Sequence, residues 1–190
     1  MRTLTIECST GQGSIALSED QRLLRTRSFE NPRGQGTEFF AALEDECAYC
    51  DDLDLVLIGT GPGSYNALRT SIGAAWGIAR ARRVPLRGLC SLLGYDASEY
   101  HVLGDARAGQ WFHAHISNGR FLSAPTLFGP AEAVAQITPS TPVFTTAPLL
   151  ESACFESPVA AQLMRYADQA GAAEPIYLKP PHITKPSCKP

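Results

Sequence analysis

Four groupings in the sequence have residue types that chemistry uses. Glu7 ends an alternating run, Thr-Leu-Thr-Ile-Glu-Cys, and Asp105 precedes Ala-Arg-Ala-Gly. Each carboxylate is followed by turn glycines, Gly11 and Gly13 after the first and Gly109 after the second. Two carboxylates facing one cleft hold Mg²⁺ through waters, and glycine turns let phosphates approach the backbone. The alternative is structural: acidic strand ends are common, and Asp105 has Arg107 nearby to pair with or a turn to cap. The second grouping is the corner Gly61-Pro62-Gly63-Ser64 inside GTGPGSYNALRTSIGAAWGIAR, residues 59–80. A helix that starts there offers free N–H groups and a positive dipole end to an anion. No Lys-Ser or Lys-Thr follows the last corner glycine, so this is not a Walker A loop. Gly59, Gly61 and Gly63 alternate, which is not the dinucleotide-binding spacing either. A purely structural corner is the competing reading.

Cys47 and Cys50 form the one CxxC among six cysteines. The pair falls in a helical pattern among Glu44, Asp45, Glu46, Asp51 and Asp52, without a second CxxC or a histidine pair. Acidic neighbours raise a thiol pKa, which favours a packing role over a redox or zinc role. His113 and His115 alternate on a strand pattern and share a face, but no third ligand is spaced to help. They read as surface histidines, with His101 and His182 isolated. No Ser-His-Asp grouping follows from spacing, and no cysteine has the context of a nucleophile.

The elements that position these residues follow from periodicity. The run Leu55-Val56-Leu57-Ile58 is uninterrupted and bounded by glycine further on, as a buried strand is. Ser64 stands where an N-cap belongs. Beyond it Leu68, Ile72, Ala75 and Ala79 recur at helical spacing. Gly73 and Gly77 lie on a neighbouring line and cost the helix up to about 1 kcal/mol each relative to alanine, which close approach of another backbone would explain. Upstream, residues 3–8, Ile15–Leu17 and Leu23–Phe29 predict a three-stranded meander. Thr37 then caps a helix from Glu38 to Cys50 with Phe39, Phe40, Leu43 and Cys47 on its apolar side. Pro85–Leu89 adds a strand and Ser91 starts a short helix. A helix from Pro130, a strand at 141–144 and a helix at 158–170 are predicted beyond residue 127. The stretch 175–190 holds five prolines and all three lysines, so it reads as an extended arm.

Length and charge set limits. The chain has 190 residues and a net charge of −3, which is no general nucleic-acid footprint. Arg80, Arg82, Arg83 and Arg87 cluster, but at a helix C-terminus, where they complement its dipole. The N-terminus enters a strand pattern directly and no apolar run reaches membrane-spanning length, so a soluble cytoplasmic protein is expected.

The second half repeats the first. At a shift of 98 residues without gaps, Glu7 meets Asp105, Gly11 meets Gly109, Gln12 meets Gln110, Ala16 meets Ala114, Arg22 meets Arg120 and Leu24 meets Leu122. Residues 101–127 therefore predict a second meander, with Ser117-Asn118-Gly119 as its hairpin turn. A duplicated meander followed by helices is an α/β layout shared by actin-like, Hsp70-like and sugar-kinase (ASKHA) folds, and by itself it names no function. It divides the chain into a lobe at 1–100, a shortened lobe at 101–174 and a tail at 175–190.

IECSTGQGSIAL, GTGPGSYNALRTSIGAAWGIA, VPLRGLCSLLGYD and GDARAGQWF occur in order within the first 115 residues. Together they resemble the TsaB (YeaZ) family, whose text is approximately LDTST…SVAL, GPGSFTGLR, P..GVSSL and DAR.G..Y. The glycine corner is the most specific part. Glu7, Asn66 and Ala67 depart from the family's aspartate, threonine and glycine, and the half after Trp111 is short for the family and matches no family pattern. The resemblance implies an actin-like fold and a non-catalytic subunit. Such a subunit supports threonylcarbamoyl transfer to the adenosine next to the anticodon of tRNA. Its implied partners are a TsaD-like catalytic subunit, a TsaE-like ATPase and a second copy of itself, with tRNA met only through the complex and no membrane. No cofactor of its own is implied, ATP and Mg²⁺ belonging to the shared complex. The implied pairing surface is formed by the helices at 37–50 and 64–80, with Phe40, Ser64, Leu68, Arg69, Ile72, Gly73, Trp76 and Gly77. Whether Leu68 and Ile72 face a partner or their own sheet is open, as is whether Arg69 crosses the interface or braces the corner. The rival reading is an autonomous actin-like phosphotransferase or ATPase with nucleotide and Mg²⁺ at Glu7, Gly11, Asp105 and Gly109.

Overall fold

The alternating N-terminal run forms strand β1 (Arg2–Glu7) in the computed structural model, which describes residues 1–31 and 36–179. It pairs antiparallel with β2 (Gln12–Glu19), which pairs with β3 (Arg22–Glu30). Helix α1 (Thr37–Cys47) leads to β4 (Leu55–Gly59), helix α2 (Tyr65–Arg82) and β5 (Leu86–Leu89). The first sheet has the order β3-β2-β1-β4-β5, with β4 and β5 parallel to β1. A single turn of 3-10 helix (Ser91–Leu93) joins it to β6 (Glu99–Asp105), β7 (Trp111–Ser117) and β8 (Arg120–Phe128). Helix α3 (Pro130–Ala135), β9 (Val143–Thr145) and the two-residue β10 (Cys154–Phe155) follow. The second sheet runs β10-β9-β6-β7-β8, the same order as the first when read from β8.

Burial explains the strand patterns. β4 is apolar throughout because both its faces are covered. Val56 and Ile58 pack with Ile72, Ala75 and Ala79 of α2, whereas Leu55 and Leu57 pack between the sheets with Leu92, Tyr100 and Leu163. Each such side chain contributes roughly 1.5–3 kcal/mol of transfer free energy. α2 buries Leu68, Ser71, Ile72, Ala75 and Ala79, one face at helical spacing, and ends with Arg83 in the left-handed region.

Several expectations need correction. α1 stops at Cys47, and its N-cap position is Gly36 without a side-chain cap, so Thr37 is already helical. Ser64 occupies the N-cap of α2, but its hydroxyl makes no capping bond; its carbonyl accepts the first helical bond from Leu68 instead. The helix expected at 158–170 is one short α-helix, α4 (Ala160–Leu163), running into 3-10 turns (Met164–Gln169) that kink at Tyr166. β10 carries no sequence signal at two residues. The loop expected at 31–36 falls mostly on residues outside those described, as do His182, Cys188 and the tail beyond 179.

The second half does not stay in its own lobe. The Ala160 N–H donates to Ser14 Oγ (2.8 Å), and Gly171 pairs both ways with Gly88 at 2.9 and 3.0 Å. Residues 171–179 run on as an extended arm: Ile176 N–H donates to the Thr60 carbonyl (2.8 Å) and Tyr177 packs on Tyr65 with ring centroids 5.1 Å apart.

Candidate functional site

The glycine corner is held by protein groups on every side. Ser64 N–H donates to the Ser9 carbonyl (2.8 Å), Gly61 N–H to Ser91 Oγ (2.9 Å) and Ser91 N–H back to the Gly61 carbonyl (2.9 Å). Gly61 takes a φ of +90°, which favours glycine. A Cβ on Gly63 would lie 2.1 Å from the Ser9 carbonyl oxygen, so any side chain there collides with backbone. Where a phosphate would have to approach Gly63, the β1–β2 turn already sits.

Glu7 lies beneath this corner, with no exposed surface. Its Oε1 accepts the Ser9 N–H at 2.6 Å, while Oε2 has no hydrogen-bond partner. A Cβ on Gly59 would lie 1.7 Å from that oxygen, so glycine at 59 makes the room the carboxyl occupies. Burial pushes the Glu7 pKa above its ordinary value of 4.5, against the opposing pull of Ser9 and Ser91. The unfolded chain therefore loses this proton first, and the stability present below about pH 4.5 is lost as pH rises through the folded-state value. Glu7→Gln, which keeps the shape without the charge, is expected to melt higher than the parent at pH 7 and equal to it near pH 4. Thermal melts at the two pH values check this; a lower melting temperature at pH 7 would mean that the charge is stabilising.

Asp105 is exposed, and its Oδ1 accepts the Arg107 N–H (2.7 Å), the turn-capping role weighed above. It is not the counterpart of Glu7. Arg2 faces Glu19 and Glu99 faces Ser117; Ser117 lies 98 residues beyond Glu19, but Glu99 lies only 97 beyond Arg2. The β6–β7 connection is one residue longer than the β1–β2 connection, and a one-residue slip moves a side chain to the other face. Glu7 thus corresponds to Gly104, and Asp105 corresponds to Cys8, which packs with Leu4 and Ile6 on the helix-covered face. Gly11 and Gly109 are both exposed, with open space where a Cβ would be. The paired-carboxylate constellation is not assembled.

The pairing surface divides in two. Leu68 (0 % exposed) and Ile72 (8 %) face the chain's own sheet, because the line they share with Ala75 and Ala79 is the buried one. They are not available to a partner. Gly73, Trp76 and Gly77 lie on the opposite side of α2, with Trp76 53 % exposed. Among the described residues no atom lies within 4 Å of a Cβ position on either glycine. Neither glycine is needed for packing among those residues, so the helix-propensity cost of the two is unexplained there. Phe40 of α1 is also exposed, its ring tilted against the buried Phe39 with centroids 5.0 Å apart. Arg69 does not brace the corner: it donates to the Tyr65 hydroxyl and lies over that ring, 5.2 Å from its centroid. Tyr65 and Tyr177 escaped the sequence reading because no periodic pattern includes them, and Ser91 was read only as the start of a short helix, although Tyr65 and Ser91 both stand inside quoted motifs.

The histidines also differ from expectation. His101 and His113 are buried, and His101 Nδ1 is 2.8 Å from His113 Nε2. His115 stacks on His101 at 4.0 Å and its Nε2 meets Glu99 at 3.0 Å. His101 is the cross-strand partner of His115, a relation invisible in the sequence. Among the described residues no group of three His, Cys, Asp or Glu is arranged to hold a metal ion. No helix there is long and apolar enough to cross a membrane.

With this geometry in hand, the similarities are specific. The family profile of TsaD, tRNA N6-adenosine threonylcarbamoyltransferase, matches residues 39–119. YeaZ from Pseudomonas aeruginosa superposes with a TM-score of 0.73 at 21 % identity, over 93 % of this chain and 99 % of that one. A second Pseudomonas aeruginosa structure, an uncharacterized protein described as similar to peptidase YeaZ, also gives 0.73, at 19 % identity over 94 % and 99 %. An uncharacterized protein of Mycobacterium tuberculosis is 29 % identical over 151 residues, 74 % of this chain and 71 % of that protein. The chain therefore has an α/β, actin-like fold. More closely, that fold is the one seen in YeaZ.

Proposed function

We propose that this chain is a non-catalytic subunit that supports threonylcarbamoyl transfer to adenosine next to the anticodon of tRNA, by pairing with a TsaD-like catalytic subunit. The observation that carries the reading is the solvent-facing side of α2, where Gly73 and Gly77 flank an exposed Trp76 without an internal reason. Two glycines one turn apart leave a backbone groove for a crossing helix, and an exposed tryptophan is a frequent interface anchor. The YeaZ fold and the TsaD profile match, which spans α1, α2 and most of the second meander, support the same reading. The interface comprises Phe40 from α1 and Arg69, Gly73, Trp76 and Gly77 from α2, with Ser64 at its edge; the same face serves a homodimer. A TsaE-like ATPase completes the assembly in the cytoplasm, tRNA is met through the complex, and ATP and Mg²⁺ are held by the catalytic subunit. The two sheets are copies of one unit, the second with shortened helices, dividing the chain into lobes at 1–100 and 101–174 and a tail from 175.

The autonomous phosphotransferase reading needs an accessible carboxylate pair, and Glu7 is sealed under the corner with Asp105 on the other face. Sedimentation of the chain with the TsaD-like subunit of the same organism tests the pairing. A stoichiometric complex with the parent, weakened at least about 30-fold by Trp76→Ala, is expected for an anchor contributing about 2 kcal/mol. A complex indifferent to Trp76 would move the interface elsewhere.

A further inference from the structure

Cys47 and Cys50 are the one sequence motif that the proposed function leaves unused, and the structure gives them different surroundings. Cys47 closes α1 half-buried, while Cys50 sits behind it with no exposed surface. The intervening turn is tight: Cys50 N–H donates to the Cys47 carbonyl (3.1 Å) and Cys50 Sγ to the Glu46 carbonyl (3.2 Å). A four-residue turn keeps its end Cα atoms within about 7 Å, and disulfides span about 4.4–6.8 Å.

The turn is also held rigidly. Arg25 pairs with Glu46 (3.0 Å) and lies 3.8 Å over the Tyr49 ring. Arg82 of α2 donates to Asp51 (2.8 Å) and to the Cys47 carbonyl (3.4 Å). The acidic neighbours predict a raised thiol pKa, and so does the helix C-terminus. At Cys47 the opposite holds: the neighbouring Cys50 thiol and the charge of Arg82 bring it down to about 7. Glu46 spends its charge on Arg25, and Asp51 on Arg82. The proton missing from Cys47 stays on Cys50, whose pKa is correspondingly raised.

We propose that Cys47 and Cys50 form a thiol–disulfide exchange site, with Cys47 the attacking and Cys50 the resolving sulfur, for small-molecule disulfides. The Cys47 thiolate attacks one sulfur of the disulfide, whose S–S bond breaks as one thiolate leaves. Attack consumes the negative charge beside Cys50, which then passes its proton to the departing thiolate or to water. Cys50 Sγ attacks Cys47 Sγ, forming the protein disulfide and releasing the second thiol. Two protein thiols are oxidised by two electrons and one small disulfide is reduced to two thiols. The other described cysteines lack this arrangement: Cys8 is buried, Cys90 is held high by burial, and Cys154 is exposed without a neighbouring thiol.

The test treats the reduced full chain with oxidised glutathione at pH 7 and follows intact mass and peptide maps. The parent is expected to lose two hydrogens, with the new bond mapped to Cys47 and Cys50. Cys50→Ser should stop at a glutathione adduct on Cys47, and Cys47→Ser should leave Cys50 unmodified. Iodoacetamide alkylation of Cys47 in the parent should rise with a midpoint near pH 7, and Cys50→Ala should shift that midpoint upward. A stable glutathione adduct on Cys47 of the parent, or no reaction at Cys47, would overturn the site.

Discussion

Replacing both Gly73 and Gly77 by leucine is expected to abolish assembly while making the isolated chain more stable. Both glycines are exposed with no atom of the described residues within 4 Å of a Cβ position, so leucine meets none of them. The substitutions remove a helix penalty of roughly 0.8 kcal/mol each, about 1.5 kcal/mol together. Against a partner helix the same side chains fill the groove through which its backbone approaches. A close crossing blocked in this way is expected to lose at least about 3 kcal/mol, more than about 100-fold in affinity. Alanine at both positions is the graded control. Unfolding by denaturant and sedimentation on the same samples separate the two effects. Parent-like assembly by the leucine variant would remove α2 from the interface. A lower stability would show that the glycines serve the chain's own packing.

The second large effect is acid sensitivity from the buried histidines. Thr138 N–H donates to His101 Nε2 (3.0 Å), so that nitrogen carries no proton and the ring's hydrogen sits on Nδ1, toward His113 Nε2. Both imidazoles are thereby held neutral. Burial, with His115 and His113 close by, brings His101 from 6.5 down to about 4, and His113 is lowered for the same reasons. A base whose folded pKa is depressed leaves the unfolded chain to take up the proton first. Its stability is complete above about pH 6.5 and is lost as pH falls toward about 4. For His101 alone the loss is about 3 kcal/mol, a large share of the stability of an ordinary domain. Glu7 works in the opposite direction, gaining stability as pH falls. The His101→Phe/His113→Phe double variant isolates the histidine part: its denaturation free energy should be flatter than the parent's between pH 7 and 4.5. Equal slopes would mean that the pair takes up protons in the fold as readily as in the unfolded chain.

The contrast between what the residues revealed and what they hid has a physical pattern. β4, the glycine corner and α2 were legible because their signals are local: an apolar run, a glycine punctuation and a helical stripe. The same stripe fixes Leu68 with Ala75 and Ala79, yet which side of a helix meets its own sheet is a tertiary choice, and that choice took Leu68 and Ile72 from the interface. The Glu7–Asp105 equivalence failed because a gapless shift carries no information about turn length, and one extra residue between β6 and β7 reverses the face. His101 looked isolated since its partner lies across the strand, not along it. The return of residues 171–179 to Gly88 and Thr60 depends on contacts more than 80 residues apart, beyond any local pattern. The surroundings of Cys47 were hidden for a related reason: its acidic neighbours are near in sequence, but Arg25 and Arg82, which pair with Glu46 and Asp51, come from other elements.

The central claim is that the chain is required for tRNA modification without binding nucleotide for its own chemistry. Threonylcarbamoyl transfer to tRNA should be measured with the TsaD-like and TsaE-like proteins of the same organism, with and without this chain, beside a Mg-ATP titration of the chain alone. Transfer should depend on the chain, be lost with the Gly73→Leu/Gly77→Leu variant, and be accompanied by no ATP binding to the isolated chain. Tight Mg-ATP binding by the chain alone, with transfer unchanged by its omission, would contradict that claim.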